Sequence, residues 1–197
     1  MNFAPFVFLM IVLVLYIFTP HIEGVEADGP TEALINSICI ENEDYGFCNK
    51  IIHEKLKTPT ATIKELTSLI IYTTMAHASD TYIFIDNILR KWPGPKETSG
   101  LKTCHAVYNR ETNSFLEIRF LFSKGEYELM DEAILSTAKI LEECRGDFLI
   151  PPYKEPLLEK KRVMRILITM SAVSGHMVKN EKASLISSVV TAQFFNI

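Results

Sequence analysis

The chain holds little of what most catalytic sites are built from. Only 8 of its 197 residues are glycine, no glycine-rich run is present to cradle a phosphate, and neither H-E-x-x-H nor G-x-S-x-G occurs. His53, His77, His105 and His176 fall on different segments and form no pair at metal-ligand spacing. The four cysteines do not occur in the closely spaced pairs that zinc sites use, so neither a metal nor a cofactor is expected. Lys and Arg (20) do not outnumber Asp and Glu (24), which argues against nucleic acid as a partner. No Asn-x-Ser/Thr sequon occurs, and strand-type alternation is nearly absent: "TYIFID" at 81–86 is too short and lies in a helical register. These absences disfavour an enzyme and leave a protein that acts through its surface or through what it holds.

What is present begins with "FAPFVFLMIVLVLYIF", residues 3–18, an apolar run with no Lys, Arg, Asp or Glu. Val25 and Ala27 stand at −3 and −1 of a cut after Ala27, the pattern a signal peptidase accepts. The run is short for a span and lacks basic residues on its C-terminal flank, so residues 1–27 read as a signal peptide, with a membrane anchor as the alternative. Cleavage would remove Glu23 and Glu26 and shift the net charge from −4 to −2. No second apolar stretch is long enough to span a bilayer. An even number of cysteines in a secreted chain of this size reads as disulfides.

Helix signals then divide the chain. Thr62 and Glu65 make a T-x-x-E capping box after Pro59, and "WPGP" at 92–95 closes the helix that follows after about 29 residues. A second helix is expected from about Gly100 to Phe122, a tight turn at "SKG" (123–125), and a third helix to about Cys144. "IPPYKEP" at 150–156 breaks again, and Pro156 suits the first turn of a last helix ending near Lys179. Apolar stripes support antiparallel packing: Leu101, Cys104, Tyr108, Glu111, Phe115, Ile118 and Phe122 on the second helix, then Tyr127, Met130, Ile134, Thr137, Leu141 and Cys144 on the third. The last helix offers Val163, Ile166, Met170, Val173 and Met177, and the first the less regular Leu66, Ile70, Thr73, His77, Phe84 and Ile88. The fold class is therefore all-α: an antiparallel four-helix bundle preceded by a short disulfide-closed helical hairpin.

Residues equidistant from a hairpin turn face each other. Cys104 and Cys144 are centred on Lys124, each roughly 30 Å along its helix from the turn, and Cys39 and Cys48 are centred on Glu43 and Asp44. Hairpin symmetry thus favours Cys39–Cys48 and Cys104–Cys144, although four cysteines allow three connectivities.

Several surface features remain. "KGEYEL" (124–129) sets Tyr127 at a hairpin tip, where it either meets a partner or forms the first core layer of the third helix. Lys161, Arg162 and Arg165 in "EKKRVMR" are a partner patch or simply a solvated face. His77 is a pH-sensitive site or a hydrogen-bonded boundary residue, and Glu111 faces a partner or a splayed bundle end. "LISSVVTAQFFNI" (185–197) lies beyond the last expected bundle helix as an apolar tail with no assigned role.

In order and at these distances, "CIENEDYGFC", "CHAVY" at 104–108, "CRGDF" at 144–148 and "EPL" at 155–157 resemble the plant invertase and pectin methylesterase inhibitors, over residues of about 31–180. The resemblance implies a protein inhibitor, not an enzyme, that forms a one-to-one complex with a carbohydrate-acting enzyme and occludes its active-site cleft. It implies an apoplastic or cell-wall location, with the vacuole as the alternative. Domains follow as a signal peptide (1–27), an inhibitor domain (28–180; hairpin about 31–57, bundle about 62–180) and a tail (181–197). Invertase inhibitors similar to this chain carry Pro-Lys-Phe before the third helix. Counted back from Cys144, that position holds Tyr127, Glu128 and Leu129, the expected partner-binding residues. The missing proline and the acid in place of lysine favour pectin methylesterase over acid invertase as partner. Thr103, where many relatives have Asp, is a further departure. A rival from another class is a helical carrier of a small apolar ligand, with Phe84, Phe115, Phe120 and Phe122 lining a cavity.

Overall fold

The structure, a computed structural model, describes residues 25–91, 99–144 and 157–194, with the side chains of Ser99 and 185–194 left out. The apolar run at 3–18, "WPGP", "IPPYKEP" and most of "CRGDF" and "EPL" lie outside the described residues. Six helices are described: α1 (Gly29–Cys39), α2 (Tyr45–Lys55), α3 (Ile63–Lys91), α4 (Ser99–Lys124), α5 (Tyr127–Leu141) and α6 (Leu158–Phe194). Helices α3 to α6 form the bundle: α3 packs on α4 and α6, and α5 closes the ring by packing on both α4 and α6. The α1–α2 hairpin lies across α6 and the start of α3.

The starts of the first three helices follow from their caps. Asp28 accepts a hydrogen bond from the backbone N–H of Thr31 (2.9 Å), and Pro30, which has no N–H, needs no acceptor in the first turn. Asp44 caps α2 through the N–H of Phe47 (2.9 Å). At α3 the capping box closes in both directions. The N–H of Glu65 donates to Thr62 Oγ1 (3.3 Å), and the N–H of Thr62 donates to Glu65 Oε2 (2.8 Å).

Two apolar clusters fill the interior. One joins the four bundle helices around Tyr108, Phe115, Ile118, Met130 and Ile134; the other seats Ile35, Ile38 and Ile52 of the hairpin on Leu66, Ile70, Leu167 and Met170. Burying an aliphatic or aromatic side chain contributes about 1.5–3 kcal/mol, so the three hairpin isoleucines hold the hairpin down. The ion pairs beside them, Arg162 to Asp44 (3.0 Å) and Arg165 to Glu43 (3.2 Å), set its orientation, since exposed pairs add little. Arg162 also lies 4.9 Å above the Phe47 ring. "EKKRVMR" is thus not simply a solvated face: Arg162 and Arg165 tie α6 to the turn of the hairpin.

The disulfides join Cys39 to Cys48 (Cα–Cα 5.5 Å) and Cys104 to Cys144 (Cα–Cα 4.5 Å). The first clasps the α1–α2 hairpin. The second fixes the start of α4 to the residue just past the end of α5, at the open end of that pair.

Three expectations need correction. The last helix does not end near Lys179 but runs to Phe194, because residues 181–194 contain neither proline nor glycine to stop it. Of its expected stripe Ile166 and Met170 are buried, whereas Val163, Val173 and Met177 are half-buried, and the buried face widens through Met164, Leu167, Ser171, Ser174 and Val178. That face is wide because α6 meets α3, α5 and the hairpin at once. On α3 the expected Leu66, Ile70 and Thr73 are buried, joined by Thr67, Ile71 and Thr74, but farther along the buried line moves from His77, Phe84 and Ile88 to Ala78, Thr81 and Ile85. Its threonines can be buried because each hydroxyl donates to a carbonyl one turn back. Thr67 and Thr74 also reach across to the Ser174 carbonyl (3.2 Å) and the Ser171 hydroxyl (3.1 Å).

Candidate functional site

Tyr127, Glu128 and Leu129 form the first turn of α5, just beyond the α4–α5 turn. Gly125 makes that turn, with φ +71°, a left-handed conformation that costs a residue with a Cβ. The N–H of Glu126 donates to the carbonyl of Leu121 and that of Gly125 to Phe122 (both 3.0 Å), the Schellman arrangement that ends a helix sharply. Lys182 of α6 donates to the Gly125 carbonyl (2.7 Å), holding the turn against the last helix.

Successive residues of a helix point about 100° apart, so the three side chains part company. Tyr127 turns inward: its ring lies 5.8 Å from that of Phe122, with Lys182 Nζ 5.3 Å from its centre. It therefore belongs to the first core layer rather than to a projecting tip. Glu128 is 73% exposed, with Lys179 Nζ 3.7 Å from its carboxylate, and Leu129 is about half exposed. Lys179 bonds more closely to Asp131, and that bond holds its ammonium charged to a higher pH than usual. His176 Nδ1 stands 3.8 Å from the same Asp131 carboxylate. The candidate surface is thus Glu128 and Leu129 on a rigid helix start, braced by Lys179, Asp131 and Lys182. The bracing residues were missed at the sequence level. Their signal is a matched spacing, Glu128 and Asp131 three apart on one helix and Lys179 and Lys182 three apart on another.

The remaining candidates take separate places. His77 donates from Nε2 to the Lys160 carbonyl (2.9 Å), and burial lowers its pKa, so it is the boundary residue of the two readings. Glu111 faces neither a partner nor a splayed end. It is fully buried, neither carboxylate oxygen has a hydrogen-bond partner, and burial pushes its pKa up to about 8. The Tyr108 hydroxyl, one turn away, is also buried without a partner. The four phenylalanines of the carrier reading do not meet around a cavity. Phe115 fills the bundle core, Phe84 lies under Lys160, Phe122 packs on Tyr127, and Phe120 is 59% exposed. Among the described residues no group of three His, Cys, Asp or Glu is close enough to hold a metal ion. No described helix is long and apolar enough to cross a membrane.

The described residues thus form a filled helical bundle closed by two disulfides. The chain belongs to the plant invertase/pectin methylesterase inhibitor family, whose pattern matches residues 33–180. It is accordingly an inhibitor-type protein and not an enzyme. The fold is similar to that of a mutant form of a pectin methylesterase inhibitor from Arabidopsis (16% identity, 73% of this chain and 95% of the other, TM-score 0.63). A second structure, a pectin methylesterase inhibitor from Arabidopsis thaliana, aligns at 15% identity over 74% of this chain and 96% of the other, with TM-score 0.53. Comparison with curated protein sequences finds no match.

Proposed function

We propose that the protein is a secreted inhibitor of pectin methylesterase, acting in the cell wall by forming a one-to-one complex that covers the active-site cleft. The observation that carries the choice of target is Glu128. Invertase inhibitors similar to this chain present a lysine there, whereas this side chain is an exposed carboxylate. A glycosidase cleaves with paired carboxylates, and a third carboxylate pressed into that cleft is repelled. Tyr127, drawn against Phe122, is not free to take part in such an insertion. A bundle already ordered by two disulfides and two apolar clusters gives up little conformational freedom on docking, which suits a tight inhibitor.

One feature favours acid invertase as the second reading: Leu129, about half exposed, offers an apolar side chain where the invertase motif has its phenylalanine. Sizing the mixture of oxidised protein and esterase by light scattering after gel filtration tests the main reading. A one-to-one complex, lost when the esterase cleft is filled by a substrate oligosaccharide, is the expected result. No complex, or one indifferent to cleft occupancy, overturns it.

A further inference from the structure

A groove of about 870 Å³ opens on the flank of the molecule, between the end of α2, the outer face of α3 and Arg119 of α4. Its volume falls in the range of small-ligand clefts, about 300–1,000 Å³. Its lining carries three cations and two carboxylates, a small positive excess in a chain whose net charge is −4. Lys55, Lys57 and Arg119 line it, and none has a carboxylate partner among the described residues. Arg119 stands apart in this respect, since Arg90, Arg110, Arg162 and Arg165 each engage a carboxylate. The two acids of the lining are already engaged. Glu65 accepts from both the N–H and the hydroxyl of Thr62 (2.8 Å each), which holds its carboxyl below the usual range, and Glu54 pairs with Lys50 (3.7 Å).

Tyr72, 59% exposed on the groove wall, supplies a flat aromatic face, and Thr58 and Ser68 supply hydroxyls. Unpaired cations, an aromatic platform and hydroxyls in one open channel match a linear acidic sugar chain. Its ring faces stack on an aromatic, and its carboxylates and hydroxyls need charged and neutral partners. We propose that this groove binds an oligouronate, a de-esterified acidic oligosaccharide. The choice of that sugar rests on the esterase reading above, because removing methyl esters from a uronate polymer exposes the carboxylates the groove would take. The inhibitor would then be held on the product of the enzyme it controls, at a site separate from Glu128 and Leu129.

Calorimetric titration of the oxidised protein with an oligogalacturonate of defined length, its fully methyl-esterified form and polyglutamate tests this without any enzyme present. The acid form should bind, and both the methyl ester and added salt should weaken binding by about tenfold or more. Arg119→Gln and Tyr72→Ala should each weaken binding by about fivefold or more, with melting temperature unchanged. Equal affinity for polyglutamate would show a general polyanion surface and overturn the proposal, as would no binding or binding indifferent to both substitutions. Esterase inhibition measured on the same variants keeps the two readings apart. Arg119→Gln should leave it intact, and a protein that binds the sugar yet never inhibits would refute the inhibitor reading alone.

Discussion

Among single residues, Glu111 stands out because it is an acid in the core with nothing to bond. Its ordinary pKa of 4.5 rises to about 8 on burial. Below the lower value both the folded and the unfolded chain hold the proton; between the two values only the folded chain does. The contribution of Glu111 to stability therefore falls as pH rises from about 4.5 to about 8. Glu111→Met, which replaces an unpaired buried acid by an apolar side chain of similar size, should gain on the order of 1–4 kcal/mol near pH 8 and much less near pH 4. Urea unfolding of both proteins at the two pH values checks it, and parallel pH profiles would refute it. Gly125 makes a second residue-level prediction. Its φ of +71° admits a Cβ only under strain, so Gly125→Ala should cost about 1–2 kcal/mol and loosen the start of α5, as read by thermal melting.

For the helices, the two disulfides have different tasks. Loop entropy assigns about 4 kcal/mol to the 40-residue separation of Cys104–Cys144 and about 3 to the 9-residue separation of Cys39–Cys48. Replacing Cys104 and Cys144 by alanine should lower the stability of the whole bundle. Replacing Cys39 and Cys48 should expose the amides of α1 and α2 first, because the hairpin meets the body on one side only. Hydrogen exchange separates these outcomes, and uniform loss of protection in both variants would contradict them. Helix legibility differed in the same way. On α4 and α5 the periodic residues are the buried ones from Leu101 to Ile118 and from Met130 to Cys144, since each helix presents one face to its neighbours. On α3 and α6 the core also runs through Thr67, Thr74, Ser171 and Ser174, small polar residues whose hydroxyls bond carbonyls one turn back on their own helix, Thr67 and Thr74 also reaching across to the facing helix. Hydrophobic counting does not register them. Nor does it register a pair such as Arg162 and Asp44, 118 positions apart. The candidate surface was legible as a position, Tyr127 to Leu129, but the inward turn of Tyr127 depends on Phe122 and Lys182.

At the scale of the whole molecule, the described residues form a filled helical bundle closed by two disulfides. Binding to its target should be tighter near pH 5 than near pH 7.5, and a flat affinity profile by surface plasmon resonance would count against this. His176 stands beside the Asp131–Lys179 brace of the candidate surface, its Nδ1 3.8 Å from the Asp131 carboxylate, and is 60% exposed. The central claim concerns the target, and a paired inhibition assay tests it most directly. Oxidised protein lacking residues 1–27 is titrated at pH 5.5 against a plant pectin methylesterase and a plant acid invertase. The account predicts stoichiometric inhibition of the esterase with the invertase unaffected. Inhibition of the invertase alone, or of neither enzyme, would contradict it.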